Sequence, residues 1–231
     1  MHNNAINSES PIATVFYINN HLRRPGYRRR YAAMNVLQLP NVFFFACLVI
    51  YIAIRQVYIG RTKTVKTAVG RIDATEKILL GLMVTAVFWL PMLYLFTTFL
   101  SFADYQLYSF ARWIGAGILV TSLWLFWRSH ADLANNWSVS LEIRKNHRLV
   151  TTGVYRKVRH PMYASIWLWA LAQGMVLQNW LAGWFMLLVF AAMYFIRIPR
   201  EEQMMIDEFG DEYLDYSSRT GRLIPYLGNA A

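Results

Sequence analysis

The sequence predicts an all-α integral membrane protein of about five transmembrane helices, the last two forming a C-terminal helical hairpin. Composition is the first observation: 56% of the 231 residues are hydrophobic and only 16% are charged, against roughly 25% charged in a soluble domain. The second is residues 162–196, 35 positions without Asp, Glu, Lys, Arg or His. As one helix this run would be about 52 Å long, whereas the hydrocarbon core of a bilayer is about 30 Å thick. Two spans therefore fold back on each other at the polar pair Gln178-Asn179. Both polar flanks, 147–163 on one side and Glu201-Glu202 on the other, then meet at the same membrane face.

The remaining elements follow in order. A first span is expected over 42–59, with Arg55 and Gln56 reaching toward the interface. A second is expected over 78–103, 26 residues free of charge, kinked at Pro91. The third, over 108–127, carries Trp113, Trp124 and Trp127 as interfacial anchors and Gly115-Ala116-Gly117 as a small-residue packing surface. Beyond the hairpin, Met205, Phe209 and Tyr213 recur every four residues, and seven of the 13 acidic residues lie within 201–215. That pattern describes an amphipathic helix against the membrane face. The chain thus divides into a basic segment 1–40, three spans in 41–127, and a region 128–231 holding the hairpin and the amphipathic helix. No strand alternation suggests a barrel.

The net charge of +10 comes from Lys and Arg placed beside apolar runs, as on cytoplasmic flanks, and not from a nucleic-acid-binding surface. Two basic stretches, 61–77 and 128–159, are expected to be cytoplasmic, and the uncharged hairpin tip to lie on the far side. An odd number of spans then puts the N-terminus on the far side, against which Arg23, Arg24, Arg28, Arg29 and Arg30 argue. A single cysteine, Cys47, excludes an intramolecular disulfide and a multi-cysteine metal site. Residues 1–20 do not read as a signal peptide. His147 and His160 lack a third partner at metal-ligand spacing.

Polar chemistry concentrates at 147–163. Gly153 marks a turn, Pro161 disfavours helix at His160 and suits the first position of the next helix. A strip of non-helical backbone is thereby held at the hairpin mouth, where protein, water or a ligand must satisfy its polar groups. An interfacial basic loop is the plain reading of such a cluster. Across the hairpin, Arg197 and Glu201 share a face if the helix runs on, although Pro199 can bend or restart it. The acidic face of the amphipathic helix is expected to dock on the basic 144–159 segment.

In this order and spacing, HRLVTTGVY at 147–155, RHPMY at 159–163, the charge-free hairpin, Arg197, Glu201-Glu202, FGDEYLDY at 209–216 and Ile224-Pro225 resemble the isoprenylcysteine carboxyl methyltransferase family and related phospholipid methyltransferases. The likeness covers about residues 136–225. It implies S-adenosyl-L-methionine as methyl donor in a pocket facing the cytoplasm, and a lipophilic small-molecule or lipidated acceptor arriving from the bilayer. It also implies that His147, Arg148, Leu149, Val150, Tyr155, His160, Pro161, Met162, Tyr163 and Glu201 form the cofactor pocket. Arg197 is implied as the catalytic residue that meets the acceptor. Pro199 and the lack of a glutamine before His147 depart from the family pattern, with Ser140 or Glu142 as substitutes for the latter.

Methyl transfer to a carboxylate needs alignment and no base, because the acceptor is already ionised at neutral pH. Arg197 is suited to orient that anion through two parallel contacts, and Tyr155 and Tyr163 to face a sulfonium through their rings. Phospholipid N-methylation, an NADPH-dependent sterol-type reductase and a non-catalytic channel or lipid-binding protein are the competing readings. A channel calls for charges inside the spans, and spans two, four and five as bounded above contain none. The residues alone leave a prenylcysteine carboxylate, a lipid amine and a small thiol open as acceptors.

Overall fold

The computed structural model describes residues 38–62, 74–133 and 149–226. Helices account for nearly all regular structure among them. α1 (Leu39–Thr62) is followed by α2 (Ala74–Val84), which passes through a π turn (Thr85–Trp89) into α3 (Leu90–Phe96). α4 (Ser109–Leu133) leads through a 3-10 turn (Gly153–Arg156) to α5 (Pro161–Leu177), and a second π turn (Trp180–Trp184) opens α6 (Phe185–Phe209). α7 (Asp211–Arg219) closes the set. Four rods are long and apolar enough to cross a membrane: Leu39–Gly60, Ala74–Phe96, Phe110–Leu133 and Trp180–Phe209. At 17 residues, α5 spans about 25 Å and forms the shorter arm of the hairpin. Less than half of each rod is buried within the protein, and side chains such as Val49, Leu188 and Phe195 point outward as lipid-facing residues do.

α5 lies at the centre, packed most extensively on α4 and also on α1 and α6. Trp169, Phe44, Phe126 and Phe190 fill the interior, with Cys47 buried among them. α4 approaches α5 at Gly115, where a Cβ would sit 2.9 Å from Met175 Cβ; Gly117 meets nothing. Half of the expected small-residue surface is thus a contact.

The hairpin turns at Gln178-Asn179. Gln178 is left-handed (φ 51°), and Asn179 Oδ1 accepts from Leu181 N at 3.0 Å and Ala182 N at 2.9 Å, capping the following turn. Asn179 Nδ2 also donates to Leu100 O at 2.7 Å and Asp104 Oδ1 at 2.8 Å. The expected second span overran here: it ends at Phe96, not at 103. Thr97 turns extended (φ −137°, ψ 173°), its hydroxyl bonds Leu93 O, and residues 97–105 fold over the hairpin tip.

Pro91 has no N–H for the Val87 carbonyl, and the ladder adjusts by the π turn just before it. Both π turns are served by one buried amide. Gln173 Nε2 donates to Ala86 O at 2.9 Å in the first and to Ala182 O at 2.7 Å in the second, while its Oε1 accepts from Trp169 Nε1 at 3.0 Å. Gln173→Leu strands three polar groups in an apolar interior and is expected to cost about 2–4 kcal/mol. Thermal unfolding in detergent checks this, and an unchanged midpoint would refute the linkage.

Two further expectations are corrected. Helix α6 does not restart at Pro199 but continues through it; the proline ring is exposed and removes only one backbone donor. The amphipathic helix over 201–215 is instead two pieces, since Gly210 (φ 54°) ends α6 and starts α7; Met205 and Phe209 lie on one, Tyr213 on the other.

Directions alternate along the chain. Gln38, at the start of α1, meets Arg112 near the start of α4 at 2.8 Å, and this end also holds the hairpin tip. The other end gathers the start of α2 and the ends of α4 and α6. Residue 38 therefore lies opposite the hairpin mouth. The arginines at 23–30, the basic loop 63–73, and Ser140, Glu142 and 144–148 lie outside the described residues.

Candidate active site

The strip at the hairpin mouth is fixed from three directions. From α4, Asp132 accepts from Val154 N at 2.9 Å and pairs with Arg128 at 2.6 Å. Gly153 is left-handed (φ 61°), and a Cβ there would lie 2.1 Å from Asp132 Oδ2, so glycine is required. Tyr155 donates to Ser129 O at 3.3 Å, and its own carbonyl accepts from Tyr216 of α7 at 2.6 Å. Burial pushes the Tyr155 hydroxyl well above its ordinary range and that of Tyr216 up to about 12. Both keep their protons at neutral pH.

The third support was not legible in the motifs. Residues after α7 run beside the strip: Gly221 N donates to Lys157 O at 3.2 Å, Arg159 N to Gly221 O at 2.8 Å, and His160 N to Arg222 O at 2.9 Å. Part of the backbone expected to await a ligand is thus satisfied by the C-terminal segment. Arg159 adds side-chain bonds to Ser217 O, at 2.7 Å, and to Thr220 O. Pro161 then takes the first turn of α5 as expected.

The adjacent glutamates diverge. Glu201 accepts from Tyr163 Oη at 2.7 Å and lies 3.9 Å from His160 Nδ1. Glu202 gathers Arg159 Nε at 3.4 Å, His160 Nε2 at 3.3 Å and Arg222, whose Nε and Nη2 approach at 3.0 and 2.5 Å. Glu202 is the more buried, with a side chain 13% exposed against 32% for Glu201. Glu201 faces the cleft and Glu202 ties its walls together.

That cleft is lined by five of the expected cofactor residues: Leu149, Val150, Tyr155, His160 and Glu201. Tyr163 reaches it through Glu201. Pro161 lines a separate cleft with Trp124, Lys157 and Leu223, and Met162 packs against the core. His147 and Arg148 lie outside the described residues. Arg159, Met205, Tyr213, Tyr216 and Leu133 complete the lining. Tyr213 and Tyr216 stood within the 209–216 motif and Arg159 within 159–163, so the motifs held them without assigning a role. Leu133 left no signal.

One turn of α6 before Arg197 lies a larger apolar cavity of about 380 Å³ between α1, α2, α5 and α6, with Leu48, Ile52, Leu80, Val87, Ile166 and Met193 in its wall and Arg55 and Gln56 on its α1 side. Arg197 follows Met193 by one turn of α6, and Glu76 precedes Leu80 by one turn of α2. These two side chains are 11% and 10% exposed and form an ion pair, Arg197 Nη2 to Glu76 Oε1, at 3.6 Å. Glu76 corrects the expectation of a charge-free second span, since α2 begins at Ala74, not at 78. Along α6, then, Met193 marks the apolar cavity, Arg197 the ion pair, and Glu201 the polar cleft, on three successive turns.

Residues 113–207 match the model of the isoprenylcysteine carboxyl methyltransferase family. The protein-S-isoprenylcysteine O-methyltransferase of Schizosaccharomyces pombe is 36% identical over 89 residues, 38% of this chain and 38% of that protein. The Mus musculus protein of the same name is 35% identical over 92 residues, 40% of this chain and 32% of that protein. The matched segment thus spans less than half the length of these curated relatives. A solved structure of the eukaryotic intramembrane Ras methyltransferase, isoprenylcysteine carboxyl methyltransferase, shares the fold with a TM-score of 0.50 at 23% identity, over 84% of this chain and 70% of that one. α1, α2 and α3, Glu76 included, fall before the matched residues, which take in most of α4, the strip, α5 and nearly all of α6. In that region this chain resembles the isoprenylcysteine carboxyl methyltransferase family.

Proposed function

We propose that the protein is a membrane-embedded methyltransferase that uses S-adenosyl-L-methionine to esterify the carboxylate of a lipophilic, isoprenylcysteine-like acceptor. The observation that carries this reading is the alignment on α6: an apolar cavity for a chain, a buried guanidinium for an anion and a polar cleft beyond it, each one turn apart.

The cleft suits the donor by its chemistry. Leu149, Val150 and Met205 offer apolar contact, Tyr155 and Tyr213 offer ring faces, and Glu201 offers an acceptor for hydroxyl or ammonium groups. When bound, S-adenosyl-L-methionine supplies an electrophilic methyl on a cationic sulfonium. The protein's part is to hold the acceptor oxygen in line and keep water away. Arg197 orients the carboxylate by its two-pronged edge, and no side chain needs to remove a proton. Tyr163 is held by Glu201 at 2.7 Å beside the cleft. The Lys and Arg density around 61–77 and 128–159 supports a cleft that opens to the cytoplasm.

A nucleotide-dependent reductase is disfavoured by the same residues. It needs cations for phosphates, whereas among the described residues the arginine that lines the cleft, Arg159, is already engaged by Glu202. Glu76 beside Arg197 is the one observation that favours an amine acceptor and hence lipid N-methylation. Radiolabelled donor separates the two. Incubation with an S-prenylcysteine mimic is expected to give label released by base as volatile methanol. Base-stable label in phospholipid would overturn the ester reading.

A further inference from the structure

The pair between Arg197 and Glu76 is oddly open. At 3.6 Å it is too long for a hydrogen bond, and Arg197 Nε is buried with no hydrogen-bond partner among the described residues. A guanidinium offers Nε and one Nη as a fork that matches both oxygens of a carboxylate. The same protein closes such a fork elsewhere, where Arg222 grips Glu202 with Nε at 3.0 Å and Nη2 at 2.5 Å. Glu76 neutralises Arg197 without filling its fork, so the vacant prong is matched to a second carboxylate arriving from the apolar cavity one turn away.

We propose that Glu76 is a positioning residue that acts as a resident stand-in for the acceptor: it neutralises Arg197 between turnovers and yields the guanidinium to the acceptor carboxylate. This rests on the carboxylate reading above. An unaccompanied buried guanidinium is strongly unfavourable, so some anion must be present when the acceptor is not. The acceptor carboxylate fills the fork. In the transfer an oxygen lone pair forms the bond to the methyl carbon, and the S–C bond breaks with its electron pair left on sulfur. No proton moves. The product is a neutral ester that no longer holds the guanidinium, and Glu76 pairs with it again. The same carboxylate competes with the acceptor and raises its KM.

The test uses the full chain in detergent, with radiolabelled donor and an S-prenylcysteine mimic, comparing wild type, Glu76→Gln and Glu76→Asp. Removing the competing charge in Glu76→Gln is expected to lower the acceptor KM about five- to tenfold, as relief of a like-charge contact does. Inhibition by the methyl-ester product, which carries no charge for Arg197 to hold, stays the same. Glu76→Asp withdraws the carboxylate by one methylene and lowers KM less, which keeps the test open if the glutamine variant fails to fold. An acceptor KM unchanged or raised in the variants that fold, or a parallel shift in affinity for the neutral ester, overturns the stand-in role. Absence of ester formation by wild type overturns the parent reading instead, and this one with it.

Discussion

Arg197→Ala is expected to lower methyl-ester turnover at least about a hundredfold while changing donor affinity by less than about threefold, because a preorganised contact to the reacting anion is lost and the donor cleft is not. The structure separates the two effects. Arg197 lies between the apolar cavity and the cleft, with Glu76 paired to it at 3.6 Å, whereas the cleft is built from Tyr155, His160, Glu201 and Tyr213. Removing the guanidinium also takes a positive partner from the buried Glu76 carboxylate, so a fall in stability accompanies the loss. Arg197→Lys controls for that, since it restores charge but offers a point donor in place of a fork. Partial recovery of turnover is expected from it. Calorimetry with S-adenosyl-L-methionine and initial rates with an S-prenylcysteine mimic check both halves. Turnover retained in Arg197→Ala, or donor affinity lost in step with turnover, would remove Arg197 from the acceptor side.

The parts of this site that the sequence disclosed are those governed by local rules. A charge-free run of 35 residues cannot be one span, and a polar pair at its middle must turn, so the turn at Gln178-Asn179 follows from the sequence. Pro161 opening α5 and Gly153 in a turn follow equally from backbone chemistry. Pro199 was not readable, because whether a proline breaks a helix depends on which face it occupies, and only packing shows that its ring points outward. Glu76 lies before the boundary that charge sets at Lys77, although Ala74–Val84 forms helix from its first turn. Its partner lies on α6, 121 positions later by number (197 − 76), which no local pattern reports. The C-terminal support is of the same kind. Gly221 must be small because a Cβ would meet Ile224 O at 1.8 Å, a contact made by the tail's own fold.

The sequence also could not divide labour between Glu201 and Glu202. Neighbours on a helix point about 100° apart, and here one faces the cleft while the other faces the strip. That division yields a sharp expectation. Glu202→Ala leaves Arg159, 11% exposed, and His160, 6% exposed, without their shared carboxylate, and loss of one partner from a buried pair costs about 3–5 kcal/mol. Arg222 contributes less, because its side chain is 58% exposed and water covers it. The strip at 157–160 then loses the anchor that keeps it against 221–222, so both the unfolding midpoint and donor affinity should fall. Glu201→Ala removes an acceptor that touches Tyr163 at 2.7 Å and is 32% exposed. Donor affinity should drop about tenfold, the value of one charge-assisted hydrogen bond, with the midpoint nearly unchanged. Thermal unfolding and donor calorimetry on both variants decide it. A stable Glu202→Ala that binds donor normally would show that the strip is held by its backbone bonds to the tail and not by the carboxylate between them.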